Sequence, residues 1–526
     1  MKRCVFFLNA ERGNDTRFKP NQNAMNSRAN FLFAVFGLLS TFNALATTHY
    51  VDLNSTNPTP PFTDWSVAAT NIQDAVDATV PGDLVLVTNG VYATGGRLAA
   101  AGPGGVVITN RIAVTNAITL QSVNGPTTTS IDGGNTMRCL YLTNGAVLSG
   151  FTITNGNAPH VAGGTYGGGV YCAITNLYAG ELVSTAILEN CLVISNTADI
   201  GGGVAFGNVS NCLITCNTGP TSGGGTYHCN LANSTISFNS SGFWGGGATG
   251  SWLTNCLVLS NTVPTSVSVG GLGGGAFDCT LNNCTVLGNQ AYSSGGVYNN
   301  GNTFFCYNSI IYYNFSTVTS YGNFNPSSLV TMTNCCSVPI APGAGNFTNA
   351  PLFVNTAAAD FHLSSNSPCI NAGLNFFVAA TTDFDGNPRI MGGTVDLGAY
   401  EFQTPSSVLS YVWAQQYGLP TDGTADFADT DGDGMNNWQE WIAGTNPTNA
   451  ASVLKMTSPT KNGTGLKVSW QSVNTRTYFL QRSTNLLSQP AFSAIKSNLV
   501  GQAGTTIFND TTATNGGPYF YRVGVQ

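Results

Sequence analysis

The chain has 526 residues, of which only 8 % are charged, and its formal net charge is −7. This length exceeds one ordinary domain, and the charged fraction is far below the usual value of about 25 %. The acidic balance and the lack of any Lys/Arg cluster exclude the basic surface by which proteins bind nucleic acids. No Lys or Arg occurs between Cys139 and Pro388.

Residues 1–46 are typical of an export signal. Residues 31–39 form an apolar core, and Ala44, Leu45 and Ala46 fit a small-residue cleavage site. The stretch ahead of the core is too long for a normal basic region, whereas a start at Met25 gives a signal of ordinary size. A membrane anchor is the alternative, but the apolar run is too short to span a bilayer. We therefore expect an extracellular or cell-surface protein without a transmembrane span.

The following segment, up to about residue 91, predicts the start of a solenoid. THYVDL at 48–53 is typical of a strand, and NIQDAVDAT at 71–79 of a short amphipathic helix. The PGD turn at 81–83 then leads into a strand at 84–88. A helix in this place would cover the open end of a stack of strands.

A unit of 21 to 28 residues recurs in the middle of the chain. It contains N-C-x-x-x-x-N or a close variant and is separated from the next copy by a glycine cluster. The copies begin at Asn190, Asn211, Asn233, Asn255, Asn283 and Asn308, with a weaker one at Asn334. Val, Ile, Leu and Thr between Gly and Asn predict strands and turns. One such unit cannot bury its apolar face alone, so the prediction is a parallel β-helix.

Two ladders follow if equivalent residues stack about 4.8 Å apart. The asparagines that close the copies should adopt the left-handed conformation of a corner and bond to one another; they are Asn196, Asn217, Asn239, Asn261, Asn289 and Asn314. The second ladder is Cys191, Cys212, Ser234, Cys256, Cys284, Ser309 and Cys335. Period-two alternation places Cys191 on the same face of its strand as Val193, and we expect this face to point inward. The residues of the other face, such as Leu192 and Leu213, are also apolar, so which face points inward stays open. Inward cysteines pack as small hydrophobic residues, so we expect thiols there, with a disulfide framework as the alternative.

The repeat decays after residue 335. Residues 336–403 contain SPCINAG and DFDGNPRIMGGTVDLGAYEF, and residues 452–526 alternate in short strands typical of a β-sandwich. Between them, residues 404–451 combine two helical stretches with an acidic loop. A further acidic group, Asp383, Asp385 and Asp396 with Arg389, predicts either an ion pair that closes the last coil or a second metal site.

The loop DTDGDGMNNWQE at 429–440 fits the EF-hand calcium pattern position by position. The ligands would be the side chains of Asp429, Asp431, Asp433, Asn437 and Glu440 and the main-chain carbonyl of Met435. Position 8 carries Asn436 where an aliphatic residue is usual, which disfavours pairing with a second hand. Ca²⁺ is therefore the expected cofactor, with an acidic linker as the alternative.

Several of these stretches resemble known families. The segment with IQDAVDA, PGD and NGVY resembles the N-terminal cap of pectate-lyase-like proteins, SPCINAG with VDLGAYEF resembles the choice-of-anchor Q domain, and the acidic loop resembles thrombospondin type 3 and dockerin-like repeats. The resemblance implies an all-β protein. It would have a right-handed parallel β-helix with an N-terminal capping helix (47–335), a final β-helix segment (336–403), an EF-hand-like helix-loop-helix (404–451) and an Ig- or fibronectin-like sandwich (452–526).

Two functions compete on these residues. A lyase of this fold needs a basic residue to take the proton, and residues 139–388 offer no Lys or Arg. A glycoside hydrolase needs two carboxylates about 5 to 9.5 Å apart, and residues 145–316 contain only Glu181, Glu189, Asp199 and Asp278, in different repeats, with His160 and His228 isolated. This favours a polysaccharide-binding or adhesive, structural protein, with a polysaccharide lyase or glycoside hydrolase acting on an acidic glycan as the alternative.

Aromatic residues suggest a surface for such binding. Tyr171, Tyr227, Phe277 and Tyr298 lie two residues past glycine clusters, with Trp244 and Trp252 nearby. Stacked along one edge of the solenoid, they would form a platform for the sugar rings of an extracellular polysaccharide or cell-surface glycan. The alternative is that they pack onto turns or into the core. We expect a monomer.

Overall fold

The computed structural model describes residues 46–526 apart from residue 104 and the segments 178–180, 265–270, 302–303, 318–320 and 326–329. The predicted signal peptide therefore lies outside the described residues. The chain divides into two compact units, a larger one that ends at Pro405 and a smaller one that runs from Ser406 to Gln526. Among the described residues, none of the helices has the length and apolar character needed to cross a membrane.

Three long sheets build the larger unit, and the chain visits them in turn. Sheet A contains Thr48–Val51, Leu84–Val87, Thr119–Ser122, Val147–Ser149, Ile187–Glu189, Asn208–Ser210, Asn230–Ala232, Trp252–Thr254, Thr280–Asn282, Phe304–Tyr307 and Val330–Thr333. Sheet B contains Gly90–Tyr92, Thr129–Asp132, Thr152–Thr154, Leu192–Ile194, Leu213–Thr215, Thr235–Ser237, Leu257–Leu259, Thr285–Leu287, Ile310–Tyr312 and Cys336–Ser337. Sheet C contains Arg97–Ala100, Val107–Val114, Arg138–Leu142, Val170–Cys172, Val204–Ala205, Thr226–Tyr227, Ala248–Thr249, Ala276–Phe277 and Val297–Tyr298.

Strands that are neighbours in these sheets pair in parallel, apart from the antiparallel pair Arg97–Ala100 and Val107–Val114. In sheet B, for example, Val193 pairs with Ile214 and Ile214 with Ile236. Short additional pairs extend some turns: Thr175–Leu177 with Glu181–Val183, Thr218–Gly219 with Ser240–Ser241, and Gln290–Ala291 with Phe315–Ser316. One coil per repeat stacked in parallel register is a parallel β-helix, so the predicted fold class is confirmed.

A short helix packs at the start of the stack. Ile72–Asp77 is helical, and the Asn71 side chain caps it by accepting the N–H of Asp74. Ile72, Ala75 and Val76 are buried in the same core as the first strands. The predicted capping helix at 71–79 is therefore present and is shorter at both ends.

The cysteine ladder faces inward, as alternation favours. Cys191, Cys256 and Cys284 are buried beside Val193, Val258 and Val286. The thiols donate to the main-chain carbonyl two residues earlier, as Cys212 does to Ser210 over 3.2 Å. The thirteen cysteines of the described residues are free thiols. Burial raises the pKa of Cys229 and Cys279 to about 12, so these thiols resist ionisation and oxidation.

The asparagine ladder is present, but its expected backbone conformation is wrong. The left-handed φ belongs to the residue before the closing asparagine, such as Ser195 at 60°, and to the asparagine that opens each copy, such as Asn190 at 55°. The residue before the closing asparagine thus forms the sharp turn, and the side-chain amide of the closing asparagine points into the core. Asn196 donates to the Oδ1 of Asn217 over 3.0 Å, and the bond repeats from coil to coil as far as Asn323.

Residues 350–402 return along the outer face of sheet B. They contain the antiparallel strands Phe353–Asn355 and Asp360–Leu363 and short 3₁₀ turns at Thr356–Ala358 and Asn375–Phe377. Phe384 and Tyr400 pack against Leu257 and Leu259. Leu257 and Leu259 are therefore apolar, although they face outward, because another part of the chain covers them.

The smaller unit contains two helices and two antiparallel sheets. The helices are Tyr411–Gln416 and Asn437–Ala443. One sheet has Thr460–Asn462, Gly465–Ser472 and Gly504–Asp510, and the other has Thr477–Ser483, Ser493–Val500 and Phe520–Val525. Val468 and Trp470 of the first sheet share one core with Tyr478 and Leu480 of the second, which is the packing of a β-sandwich.

Candidate calcium site and aromatic surfaces

The acidic loop brings three carboxylates together. Ligand atoms of Asp429, Asp431 and Asp433 all lie within 4.8 Å of one another. Gly432 and Gly434 have φ of 79° and 97°, and their N–H groups donate to the two carboxylate oxygens of Asp429 over 2.8 and 3.0 Å. The glycines thus allow a tight turn that folds the loop around its acidic side chains.

Two further predicted ligands come from the helix that follows. Asn437 and Glu440 lie in the first turn of Asn437–Ala443 and both are fully buried. The Nδ2 of Asn437 donates to the carbonyl of Ala425 over 2.7 Å, which leaves its Oδ1 as the free end of the amide. The Oε1 of Glu440 accepts from the Thr445 hydroxyl over 3.4 Å.

Four of the predicted ligands have a buried oxygen without a hydrogen-bond partner. These atoms are Asp431 Oδ2, Asp433 Oδ2, Asn437 Oδ1 and Glu440 Oε2. Buried polar atoms in proteins nearly always have a partner, because an unmade bond costs about 1–3 kcal/mol. Four such atoms within one twelve-residue loop therefore point to a bound cation that these oxygens would coordinate.

The charges of the loop lead to the same conclusion. Burial, together with the neighbouring carboxylates of Asp431 and Asp433, raises the pKa of Glu440 to about 8. Burial also raises the pKa of Asp433, and its acidic neighbours add to the effect. Carboxylate oxygens within 4.8 Å of one another repel by about 3.5 kcal/mol or more at an effective dielectric constant of about 20. A divalent cation would remove this repulsion.

The departure at position 8 has a structural explanation. The Asn436 side chain accepts the N–H of Gln439, and the Gln439 side chain accepts the N–H of Asn436, which is a complete capping box. Met435 is buried in the core of the sandwich, and Arg476 donates to the carbonyls of Trp441 and Ile442 over 3.1 and 2.9 Å. Asn436 therefore starts the helix that carries Glu440, and this helix is fixed to the sandwich.

The second acidic group is satisfied by main-chain bonds, unlike the loop. Both oxygens of Asp383 and of Asp396 accept N–H groups, from Asp385, Asn387 and Glu401 and from Asn371 and Phe402. Arg389 donates to the carbonyls of Asp396, Gly398 and Ala399. Within the described residues Arg389 has no carboxylate oxygen within salt-bridge distance, so the expected ion pair is wrong. The side chains close this segment by bonds to its backbone.

Among the described side chains of the repeat region, the candidate acids Asp199 and Asp278 bond to separate groups. Asp199 Oδ2 accepts from the N–H and hydroxyl of Thr165 over 2.8 and 3.0 Å. It also contacts Nδ1 of His160 at 2.9 Å, so His160 is not isolated, although its side chain is 78 % exposed. Asp278 accepts the N–H of Asn300 over 2.7 Å. The side chain of Glu181 lies outside the described part of the chain.

Sequence reasoning missed a second histidine with acidic partners. His362 contacts Oδ1 of Asp360 and Oδ2 of Asp385, each at 2.6 Å, and its ring lies 4.1 Å from that of Tyr400. Burial disfavours the charged ring, but the bonds to Asp385 and Asp360 prevail and raise the pKa of His362. Asp360 stands two residues before His362, but Asp385 is 23 residues away in the sequence, so local spacing does not signal the second partner.

The five residues of the predicted aromatic platform do not form one surface. Tyr171 and Phe277 are only 2 % and 6 % exposed. Strand pairing places Ala205 between Tyr171 and Tyr227, and Thr249 between Tyr227 and Phe277. Ala205 and Thr249 thus interrupt the aromatic ladder. The alternative, in which the rings pack onto the turns and into the core, holds for Tyr171 and Phe277.

The interruption leaves two groups of aromatic rings, one around Tyr171 and one around Trp244. The group around Trp244 is the more exposed. The ring of Phe277 lies 5.9 Å from those of Trp244 and Tyr298, with interplanar angles of 27° and 3°. This is offset stacking, in which the rings partly cover one another's faces. Trp244 itself is 38 % exposed, beside Phe243 at 39 %. Trp252, at 37 %, lies apart on the outer face of sheet A.

Solved structures with a similar arrangement include pectate lyase Pel9A, which aligns with 70 % of this chain and 98 % of its own at 16 % identity and a TM-score of 0.46. A rhamnogalacturonan lyase aligns over 56 % of this chain and 68 % of its own at 12 % identity and a TM-score of 0.23. Tailspike protein 2 of an Escherichia coli O157:H7 bacteriophage covers 91 % of this chain and 65 % of its own at 12 % identity and a TM-score of 0.23. At these scores the likenesses carry no argument about activity, and the class of β-helix protein rests on the sheet topology. No protein-family model and no curated protein matches the sequence.

Proposed function

We propose that the chain is an exported β-helix protein, extracellular or at the cell surface, that binds Ca²⁺ in loop 429–440 and binds polysaccharide without cleaving it. The calcium proposal is carried by the four unpartnered oxygens of Asp431, Asp433, Asn437 and Glu440. Ca²⁺ takes six to eight oxygen ligands, and these side chains, Asp429 and the Met435 carbonyl supply that number.

The role of the ion would be structural. It would offset the repulsion among the carboxylates and tie the loop to the helix Asn437–Ala443, which already packs on the sandwich. Mg²⁺ requires a tighter octahedral shell and keeps its waters, so a loop with this many protein oxygens favours Ca²⁺.

Calorimetry on the full chain tests this proposal. We expect one Ca²⁺ site with a Kd on the order of 10⁻⁵ to 10⁻³ M and at least about tenfold weaker Mg²⁺ binding. Glu440→Gln should abolish the Ca²⁺ signal, whereas Asp422→Asn, a change at an exposed carboxylate nearby, should leave it unaltered. A folded wild-type chain that takes up no Ca²⁺ would contradict the proposal.

Binding without cleavage is supported by two features of the β-helix. The exposed pair Phe243 and Trp244 offers an apolar surface for sugar rings, and the acidic side chains Asp199 and Asp278 are held by separate groups. The alternative remains a lyase or hydrolase that acts on an acidic glycan.

A panel of acidic and neutral polysaccharides with Ca²⁺ present separates the two functions. We expect retention on an insoluble glycan without new reducing or unsaturated ends. Trp244→Ala should weaken retention about tenfold, which corresponds to about 1.4 kcal/mol. Trp252→Ala is the matched control, because this tryptophan is equally exposed on another face. New chain ends would establish the enzyme instead.

A further inference from the structure

The last coil of the β-helix is paired less completely than the coils before it. Its strands Val330–Thr333 and Cys336–Ser337 end sheets A and B. Sheet C ends earlier, at Val297–Tyr298, among the strands that the structure describes. Each coil of a solenoid contacts only its neighbours, so the last coil has a stacked neighbour on one side alone. A covalent bond to the preceding coil would therefore stabilise it more than a coil in the middle.

One contact of the cysteine ladder recurs at the corner between sheets A and B. The ladder thiol lies near the main-chain carbonyl of the inward-facing sheet A residue of the preceding coil, and in the earlier coils that residue is a leucine. The pairs are Cys191 and Leu148, Cys212 and Leu188, and Cys284 and Leu253, with sulfur–oxygen distances of 3.9, 3.8 and 3.4 Å. The thiol at the corner thus lies beside a fixed position of the preceding strand.

The last coil departs from this pattern because a cysteine replaces the leucine. Strand pairing continues the inward row of sheet A from Leu253 through Leu281 to Cys306. The Sγ of Cys335 lies 3.3 Å from the carbonyl oxygen of Cys306, as in the earlier coils, and 3.6 Å from its Sγ. Both side chains are fully buried in the core of the β-helix. Two thiols from different rows therefore meet inside the last two coils.

This pair differs in geometry from cysteines that stack within one row. Cys191 and Cys212 each donate to the carbonyl two residues earlier over 3.2 Å, so their side chains run parallel. Parallel side chains do not point their sulfurs at each other, as a disulfide requires. Cys306 and Cys335 approach one point from a strand and from the corner of the next coil. Their sulfurs need to move closer by about 1.5 Å to reach bonding distance.

The adjacent Cys336 points away from this pair. Successive residues of a strand face opposite sides, and Cys336 lies on the outer face of sheet B, where it pairs with Ile310. Its thiol donates to the carbonyl of Asn349 over 3.1 Å, and its sulfur neighbour on that face is Cys369 of the returning chain. Cys335 therefore has Cys306 as its partner inside the core.

We propose that Cys306 and Cys335 are the site of a disulfide bond that fastens the last coil of the β-helix to the coil before it. The oxidant is a low-molecular-weight disulfide. The thiolate of one cysteine attacks a sulfur of the oxidant and releases one reduced thiol, and the thiolate of the other cysteine then attacks the mixed disulfide and releases the second. The two cysteines lose two protons and two electrons, which the oxidant gains. In the cell the bond requires an oxidising compartment, so there it rests on the proposed export.

Oxidised glutathione added to the folded full chain tests the proposal. Because both thiols are buried, the incubation takes place in urea just below the unfolding transition, where a terminal coil opens locally before the rest. Free thiols are then counted in guanidinium after the reagent is removed. Oxidation should consume two more thiols in wild type than in Cys306→Leu. Leucine is the residue of this row in the preceding coil, so the variant keeps an apolar core.

A second variant removes the other thiol by a residue that the repeat itself uses. Ser309 holds the ladder position one coil before Cys335, and its hydroxyl donates to the carbonyl of Tyr307 over 2.7 Å. Cys335→Ser should therefore fold and should show the same deficit of two consumed thiols as Cys306→Leu. Cys284→Ser is the matched control in the same ladder, and it should leave the number of thiols consumed as in wild type.

Peptide mapping identifies the bond. No Lys or Arg occurs between Cys139 and Pro388, so pepsin replaces trypsin, and its acid pH also stops thiol exchange because the thiolate is the nucleophile. Linked peptides that contain Cys306 and Cys335 are expected. Equal thiol consumption by wild type and Cys306→Leu, or a bond from either cysteine to a different one, would overturn the proposal. The reagent test does not depend on export, Ca²⁺ or glycan, so its failure is distinguishable from failure of the proposed function.

Discussion

The β-helix and the acidic loop both bury polar side chains, and they do so in opposite ways. In the β-helix, Asn217 and Asn239 each donate to the next coil and accept from the previous one. In the loop, oxygens of Asp431, Asp433, Asn437 and Glu440 have no partner. The asparagine ladder satisfies its own polar atoms, whereas we propose that a bound ion satisfies those of the loop.

The difference shows how buried polarity should be interpreted. A neutral amide can donate and accept at once, so a stack of asparagines satisfies itself. Ionised carboxylates only accept, and a group of them cannot satisfy itself. Self-satisfied polarity therefore indicates a structural role, and unsatisfied carboxylates indicate a ligand site.

The largest effect is expected from Asn239→Leu in the middle of the ladder. This change removes the side-chain bonds of Asn239 to the Ile214 carbonyl and to Asn261 Oδ1, and it leaves the main-chain N–H of Asn217 and one N–H of its amide without their acceptor. At about 1–3 kcal/mol for each buried group, we expect a loss of roughly 4 kcal/mol or more in the free energy of unfolding, measured by urea denaturation.

The control for this prediction is Asn230→Leu. Asn230 also stacks on an asparagine, donating to Asn208 over 3.0 Å, but it does so in solvent. We expect a change within about 0.5 kcal/mol. Equal effects of the two substitutions would mean that the buried ladder has no special role.

The next effect is expected from Glu440→Gln and depends on calcium. At a Ca²⁺ concentration a hundredfold above the Kd, the wild-type smaller unit gains about 2.7 kcal/mol, and the variant loses this gain. In chelator the variant should be as stable as wild type or more stable, because it lacks a buried charge among carboxylates. Melting temperatures with Ca²⁺ and with chelator measure this reversal, and equal destabilisation in both would contradict it.

These two regions were also the most predictable from the sequence. The ladder recurs at Asn196, Asn217 and Asn239 because stacked coils repeat the same environment, so spacing alone gives the contact. The loop is predictable because EF-hand ligands follow fixed spacing. The capping role of Asn436 explains the one position that departs from the pattern.

Contacts between distant segments were not predictable. Nothing near Leu257 in the sequence indicates that Phe384 and Tyr400 cover it, and alternation alone therefore left the facing of sheet B open. The platform prediction counted the aromatic residues but not Ala205 and Thr249, which share their ladder position. The left-handed residue was expected at Asn196 and occurs at Ser195, because the buried amide of Asn196 matters more than its backbone tolerance.

A smaller effect is expected from Cys212→Ser. Ser234 occupies the equivalent ladder position and donates to the Ala232 carbonyl over 2.8 Å, as Cys212 does to that of Ser210. A hydroxyl should therefore replace this thiol at a cost of less than about 1 kcal/mol. Urea denaturation with and without reductant measures the cost, and a large loss that appears only without reductant would indicate a disulfide.

The smallest effect concerns His362 and pH. Its pKa is raised in the folded protein, so its stabilisation is complete below the ordinary value of 6.5 and is lost as pH rises through the folded value. The ring is 45 % exposed, so we expect less than about 1 kcal/mol. His362→Gln should remove this decline from the pH dependence of unfolding, and an unchanged decline would exclude His362 as its cause.

Hydrogen exchange of the full chain with Ca²⁺ and with chelator tests the contrast between the two regions most directly. The account predicts that Ca²⁺ slows exchange in residues 429–445 and leaves the coils between Asn190 and Asn314 unchanged. Equal exchange of the loop in both conditions, or a calcium effect that is as large in the coils, would contradict it.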